Sequence, residues 1–220
     1  MEQTIKQRNY GYSVMDSQID GIFPTPLYMF NRGIGISDSE KEEFNEIIGK
    51  GLNSNIYNST TKDTHIFKNR LFQLRSFCEE CIGRYVRSII SPRVDMDFFI
   101  TQSWINVTKT GESHQRHCHQ NSIISGVYYH NTIEDDSIVF IDPNNAVKDR
   151  IQVLPLENNI FNSNERIIPV KDGDLVLFPS YMEHHVDKNE TETERISLAF
   201  NVFARGLFGD QETLTELKIS

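Results

Sequence analysis

Downstream of Pro92 the chain breaks into short runs rich in β-branched and aromatic residues: Asp97–Asn106, Ile123–His130, Ser137–Ile141, Arg166–Val170, Leu175–Pro179 and Ile196–Phe203. Turn or polar segments separate them, and no run is long enough for an ordinary helix. Such spacing predicts an all-β sandwich or barrel. The stretch 143–165 carries no strong strand pattern and is expected to be an insertion loop near one mouth of that sandwich.

Upstream, the pattern is different. Residues 1–20 read as a polar arm, and Gly21–Phe30, with Pro24 and Pro26, as an edge strand, because proline cannot sit in a central ladder. Ser37 and Glu40 form a capping-box signature, followed by Phe44, Ile47, Ile48 and Leu52 at helical spacing. Asn53–Thr64, rich in Asn, Ser and Thr, is expected to be a loop. A second helix is predicted over Phe67–Ile90, stopped by Ser91-Pro92. The expected organisation is one domain: an arm over 1–20, an edge strand and two supporting helices over 21–92, a β core over 93–205 and a tail over 206–220.

The chain has 220 residues and a formal net charge of −9. That acidity argues against nucleic acid as a partner, since phosphate contacts need clustered Lys and Arg. No apolar run approaches the length of a membrane span, and the polar start has no signal-peptide pattern, so a cytoplasmic protein is expected. Cys78, Cys81 and Cys118 are an odd number, and the CxxC of Cys78 and Cys81 has no second pair, so both thiols are expected to pack inside the second helix.

Five of the seven histidines fall into two groups, His114, His117 and His119 in one and His184 and His185 in the other. On an extended segment residues i and i+2 share a face, so His117 and His119 can aim two imidazoles at one point. One of His184 and His185 could add a third from a distant strand. Three such ligands with open positions suit mononuclear non-haem iron. His114, three residues before His117, is expected to face another way or to line the mouth. Arg195 and Ser197 share one face of an apolar strand. Turned inward, Arg195 needs an anionic partner, either the carboxylate of a ligand or one of the chain's acidic side chains.

Several of these segments, taken together and in order, resemble a known family. They are Trp104-Ile105-Asn106-Val107, Gly111 to His119, Asn121 to Tyr129, Gly173 to Ser180, Glu183-His184 and Arg195 to Asn201. The resemblance is to a bacterial and phage family of 2-oxoglutarate/Fe(II) oxygenases with an HxH…H metal site. It covers roughly Trp104 to Val202, and Phe23–Phe30 is similar to the family's entry segment. It implies a mainly β fold with flanking α-helices around a double-stranded β-helix (jelly-roll, cupin-like) core. It also implies Fe(II) and 2-oxoglutarate as cofactors, O₂ as co-reactant, and oxidation of an unidentified prime substrate with release of succinate and CO₂. In the family pattern His117, His119 and His184 are the metal ligands, with His119 standing where the wider superfamily has a carboxylate. Arg195 and Ser197 hold the far carboxylate of 2-oxoglutarate, and Tyr128 and Asn106 face the same pocket.

Two other readings compete. Gly111 and His117-x-His119, then Gly173 and Pro179, fit the outline of a cupin metalloprotein that does not use 2-oxoglutarate. The Glu expected after a cupin HxH is missing, however, with Ser122–Ser125 in its place. A non-catalytic jelly-roll binding module is the third reading. Metal content after His117→Ala and His184→Ala discriminates it from the other two.

Overall fold

The computed structural model describes residues 19, 21–144 and 153–220. The arm expected over 1–20, apart from Ile19, and the middle of the 143–165 loop lie outside the described residues. Among those described, no helix is long and apolar enough to cross a membrane.

Two antiparallel sheets face each other. The larger contains β1 (Tyr28–Asn31), β2 (Leu52–Ser54), β3 (Ser59–Thr61), β4 (Asp97–Thr108), β6 (Ile124–Asn131), β9 (Asp174–Pro179) and β11 (Arg195–Phe208), in the order β1-β9-β6-β11-β4-β3-β2. The smaller contains β5 (His114–His117), β7 (Ser137–Ile141), β8 (Glu165–Pro169) and β10 (His184–Val186), in the order β5-β10-β7-β8. From β4 to β11 the chain passes back and forth between the sheets, staying in the smaller one only for the β7–β8 pair, which is the winding of a jelly roll. Helix α1 (Asp38–Gly49), the short α2 (Ile66–Asn69) and α3 (Phe72–Tyr85) cover the outer face of the larger sheet.

Both faces of the larger sheet are therefore buried, and they carry separate cores. Phe44, Leu74, Cys78, Tyr128 and Phe200 pack on the helix side. Val127, Tyr129, Phe140, Phe178 and Ala199 pack between the sheets. Strands covered on both sides read as continuous apolar runs instead of alternating ones.

Several expectations hold. Ser37 caps α1 and Glu40 returns the bond to the cap, completing the box. Glu40 is also buried against Arg32 at 3.0 Å, so the helix start is tied to the end of β1. The six predicted runs after Pro92 all form strands. Cys78 and Cys81 are free, buried thiols on α3. Burial pushes both up, Cys81 to about 12, so neither is a ready nucleophile.

Other segments differ. The edge strand is only Tyr28–Asn31, paired with β9, and both prolines precede it. The loop expected over Asn53–Thr64 is instead the β2–β3 hairpin, extending the larger sheet beyond β4. The long second helix is broken at Leu71, whose φ is +51° and whose N–H is held by Glu43 Oε2 at 3.1 Å. A π-helical turn, Val86–Ile90, follows α3 and ends at Ser91, also left-handed at φ +45°. The segment expected as a tail from residue 206 carries β11 on to Phe208 and then β12 (Leu217–Ile219), which folds back onto it.

Candidate metal centre

His117 closes β5 and His184 opens β10, and the two are directly opposed in the antiparallel register. His119 lies two residues beyond β5, its backbone N–H held by the Ser180 carbonyl at 3.0 Å. The chain thus brings together two segments 65 residues apart, and one ligand nitrogen from each of the three rings falls within 4.8 Å of the others. Three nitrogens about 2.1 Å from one cation lie roughly 3.0–3.6 Å from one another, so the rings need to draw in only a little from that upper bound.

The ring tautomers suit that role. His117 Nδ1 lies 2.8 Å from the Gln115 carbonyl and His184 Nδ1 lies 3.0 Å from the Met182 carbonyl. A carbonyl oxygen can only accept, so each Nδ1 carries the proton and each Nε2 keeps its lone pair for a metal. Burial lowers all three pKa values. His184 falls to about 3 and His119 to about 4, with the neighbouring His117 adding to the burial effect. All three are therefore neutral at pH 7, the form that ligates. His185, the alternative at this step, is not among the converging ligands, and its Nε2 lies 3.3 Å from Asp187.

Behind the imidazoles the cavity is lined by Asn106, Tyr129, Arg195 and Ser197. Arg195 is 2% exposed, and both readings of it are partly satisfied. Its Nε donates to both oxygens of Asp136, at 2.8 and 3.0 Å, and its Nη1 lies 3.5 Å from Ser197 Oγ. Its Nη2 and the Tyr129 hydroxyl are both fully buried and make no well-formed hydrogen bond among the described residues; the guanidinium and the hydroxyl interact only loosely with each other. Orphaned buried donors are costly. They suit a ligand carboxylate, the group a guanidinium edge binds best. The free space is tight, about 30 Å³, so a dicarboxylate enters only as the lining side chains shift.

One expected residue is displaced. Tyr128 faces the helix-side core, 6.5 Å from the Phe77 ring, and does not reach this cavity. Tyr129, one step along β6, lines it, with the Arg195 guanidinium 5.1 Å from its ring centroid. Asn106 does line the cavity, and its Oδ1 accepts from Trp104 Nε1 at 3.2 Å. The reading of the chain also passed over Asp136 and Asn58. Asp136 sits on the β6–β7 turn, and Asn58 accompanies His114, which is stacked on His117 with ring centroids 4.5 Å apart.

Residues 102–201 match a family model described as "Putative 2OG-Fe(II) oxygenase". No curated protein matches the chain by sequence. Among solved structures it is similar to HygX from Streptomyces hygroscopicus crystallised with nickel and 2-oxoglutarate, with a TM-score of 0.55 at 12% identity over 89% of this chain and 93% of that one. It is also similar to SnoK, a non-heme alpha-ketoglutarate-dependent carbocyclase from nogalamycin biosynthesis, with a TM-score of 0.56 at 12% identity over 81% and 79%. A Pseudomonas putida prolyl-4-hydroxylase aligns with a TM-score of 0.53 at 13% identity over 80% and 92%. At such identities these structures speak for the jelly-roll fold alone, and the family match covers the segment on which the three imidazoles and Arg195 lie. Residues 102–201, the segment that carries the three imidazoles and Arg195, thus match the 2-oxoglutarate/Fe(II)-dependent oxygenases, enzymes whose cofactors are Fe(II) and 2-oxoglutarate.

Proposed function

We propose that this protein is a hydroxylase-type dioxygenase that couples conversion of 2-oxoglutarate to succinate and CO₂ with oxidation of a separate organic substrate. The carrying observation is the three-imidazole cluster with an unsatisfied, buried guanidinium edge in the same cavity. His117, His119 and His184 hold the metal through one nitrogen each. Arg195, with Ser197, Asn106 and Tyr129 beside it, holds the cosubstrate's far carboxylate.

When bound, Fe(II) and 2-oxoglutarate supply the oxidising chemistry, and the protein supplies binding, orientation and shielding. Three neutral imidazoles would hold the metal while leaving it accessible to the keto acid and to O₂. Asp136 fixes Arg195 by its Nε and so turns its Nη edge toward the cavity. Phe178 and Phe140, with ring centroids 4.8 and 5.8 Å from His184, screen the distal ligand from water. The cupin reading leaves the Arg195 edge without a task, which favours the oxygenase.

The test is succinate formation from 2-oxoglutarate by the Fe(II)-loaded protein under O₂, with no prime substrate added. Slow uncoupled turnover is expected, lost in His117→Ala and His184→Ala. Failure of the Fe(II)-loaded protein to bind 2-oxoglutarate sinks the proposal.

A further inference from the structure

His114 lies at the start of β5, three residues before the first metal ligand, and lines the same cavity as Arg195. It is not one of the converging ligands. Its tautomer can be read from the hydrogen bonds behind it. Asn55 Oδ1 accepts from the backbone N–H groups of Tyr57 and Asn58, at 2.7 and 2.9 Å, so that atom is the oxygen and Asn55 Nδ2 is the amide nitrogen. Asn55 Nδ2 donates to Asn58 Oδ1 at 3.2 Å, which fixes Asn58 in turn. The Asn58 amide nitrogen then faces His114 Nδ1 at 3.2 Å and can only donate to it. Nδ1 is therefore an acceptor, and the proton of a neutral His114 sits on Nε2. A protonated Nε2 cannot ligate a metal, but it can donate a hydrogen bond.

The position suits an anion at the deep end of the cavity. Asn58 is 1% exposed and precedes β3, which pairs with the last residues of β4. Those residues of β4, Asn106 and Val107, pair in turn with Ser197 and Ile196, next to Arg195 at the start of β11. The hairpin turn is also tied to the residue before His114, since Ser113 N–H donates to the Tyr57 carbonyl at 3.1 Å. Arg195 already shares its charge with Asp136, so a carboxylate bound there gains from a further neutral donor. A carboxylate there would also satisfy the buried Arg195 Nη2 and Tyr129 hydroxyl.

We propose that His114 binds the cosubstrate: its Nε2–H, held in that tautomer by Asn55 and Asn58, donates to the distal carboxylate of 2-oxoglutarate beside Arg195. This rests on the oxygenase reading given above. Asn58 is a positioning residue, acting only through the imidazole.

The experiment measures binding of two ligands to the Ni(II)-loaded protein by calorimetry. One is 2-oxoglutarate, and the other is 2-oxopentanoate, the same keto acid with a methyl group in place of the distal carboxylate. His114→Phe keeps a ring stacked on His117 but removes the donor. It is expected to weaken 2-oxoglutarate binding by about tenfold or more, the weight of one hydrogen bond to a charged group. Binding of 2-oxopentanoate and of Ni(II) should be unchanged. Asn58→Ala should shift 2-oxoglutarate affinity in the same direction. Equal losses for both keto acids, or no loss for either, overturn the assignment. Wild-type protein that binds 2-oxopentanoate and 2-oxoglutarate equally well also overturns it, whereas wild-type protein that binds neither fails at the oxygenase reading itself. Should His114→Phe not fold, nitrogen NMR of the wild-type imidazole still decides. A protonated Nδ1 on neutral His114 contradicts the proposal.

Discussion

Arg195 meets the cavity with one edge already engaged. Its Nε is locked to Asp136 in a pair whose side chains are 3% and 1% exposed, while Nη2 remains free. Removing one partner of such a pair leaves a buried charge without compensation. Asp136→Asn is therefore expected to cost about 3–5 kcal/mol of stability in the ligand-free protein, read as the shift in the denaturation midpoint. Part of the loss should return with Ni(II) and 2-oxoglutarate, because the ligand carboxylate replaces the missing charge. A variant as stable as wild type without ligand would show that Asp136 does not hold Arg195. His130 makes a different prediction. It is stacked on Phe44 at 4.1 Å, and burial lowers its pKa, aided by Lys41 and opposed by Asp172 and Glu40. The unfolded chain titrates this ring near 6.5. Between that pH and the lower folded value, the unfolded state binds the extra proton. The stabilising contribution is thus complete above about pH 6.5 and lost as pH falls toward the folded pKa. His130→Leu should flatten the decline in melting temperature between about pH 7 and pH 5. An unchanged slope counts against the burial argument.

Among the elements, β6 and β11 depend on one small residue. Gly126 pairs with Phe200, and a Cβ built on it would lie 2.2 Å from the Phe200 ring. Phe200 is fully buried and reaches toward Phe67 of α2, so it has nowhere to retreat. Gly126→Ala is expected to cost about 1–3 kcal/mol by overpacking, visible in chemical denaturation, and a second change of Phe200→Leu should recover part of it. A neutral Gly126→Ala would mean that the sheet flexes more than its packing suggests. The same strands show why some of the fold could be read from the chain and some could not. The capping box of α1 is local chemistry, so Ser37 and Glu40 announce it directly. The long strands after Pro92 announce themselves by composition. Tyr128 and Tyr129 could not be told apart, because β6 is buried on both faces and hydrophobicity gives no parity. The β2–β3 hairpin was hidden because its inward residues, Ser59 and Thr61, are polar and buried by hydrogen bonding: Thr61 Oγ1 accepts from the Ile105 N–H at 3.1 Å. The break at Leu71 was hidden for a related reason. The apolar spacing runs straight through it, and the groups that stabilise it, Glu43 and Ser103, lie far away in sequence. The His117–His119 pair of the candidate site was readable because residues two apart on an extended segment share a face, even though β5 itself ends at His117. Their partner His184 was separated from His185 only by the family pattern. Asp136 and Asn58, which orient neighbouring residues, carry no such signature.

At the scale of the whole molecule, the candidate metal centre lies where the two sheets meet. Three of the cavity's buried donors or acceptors come from the larger sheet, at Asn106, Tyr129 and Arg195, while His117 and His184 come from the smaller one. A metal held by the smaller sheet, and a dicarboxylate spanning from it to Arg195, would therefore bridge both layers. Binding to the folded state alone stabilises by mass action, about 2.7 kcal/mol at a ligand concentration of 100 times Kd. For a chain of this size that corresponds to a rise in Tm of roughly 5–10 °C. We expect Ni(II) alone to give a first rise and 2-oxoglutarate to add a second only when the metal is present, because its keto acid end has no other partner. His184→Ala should abolish both steps, since losing one of three ligands leaves the cation too weakly held. Arg195→Met should keep the first and lose the second, provided the variant folds with Asp136→Leu beside it to avoid a stranded carboxylate. The ordering of the two steps is the decisive feature. A rise with 2-oxoglutarate in the absence of metal would place the dicarboxylate somewhere other than between the imidazoles and the guanidinium. A rise with metal that survives His184→Ala would place the cation elsewhere too.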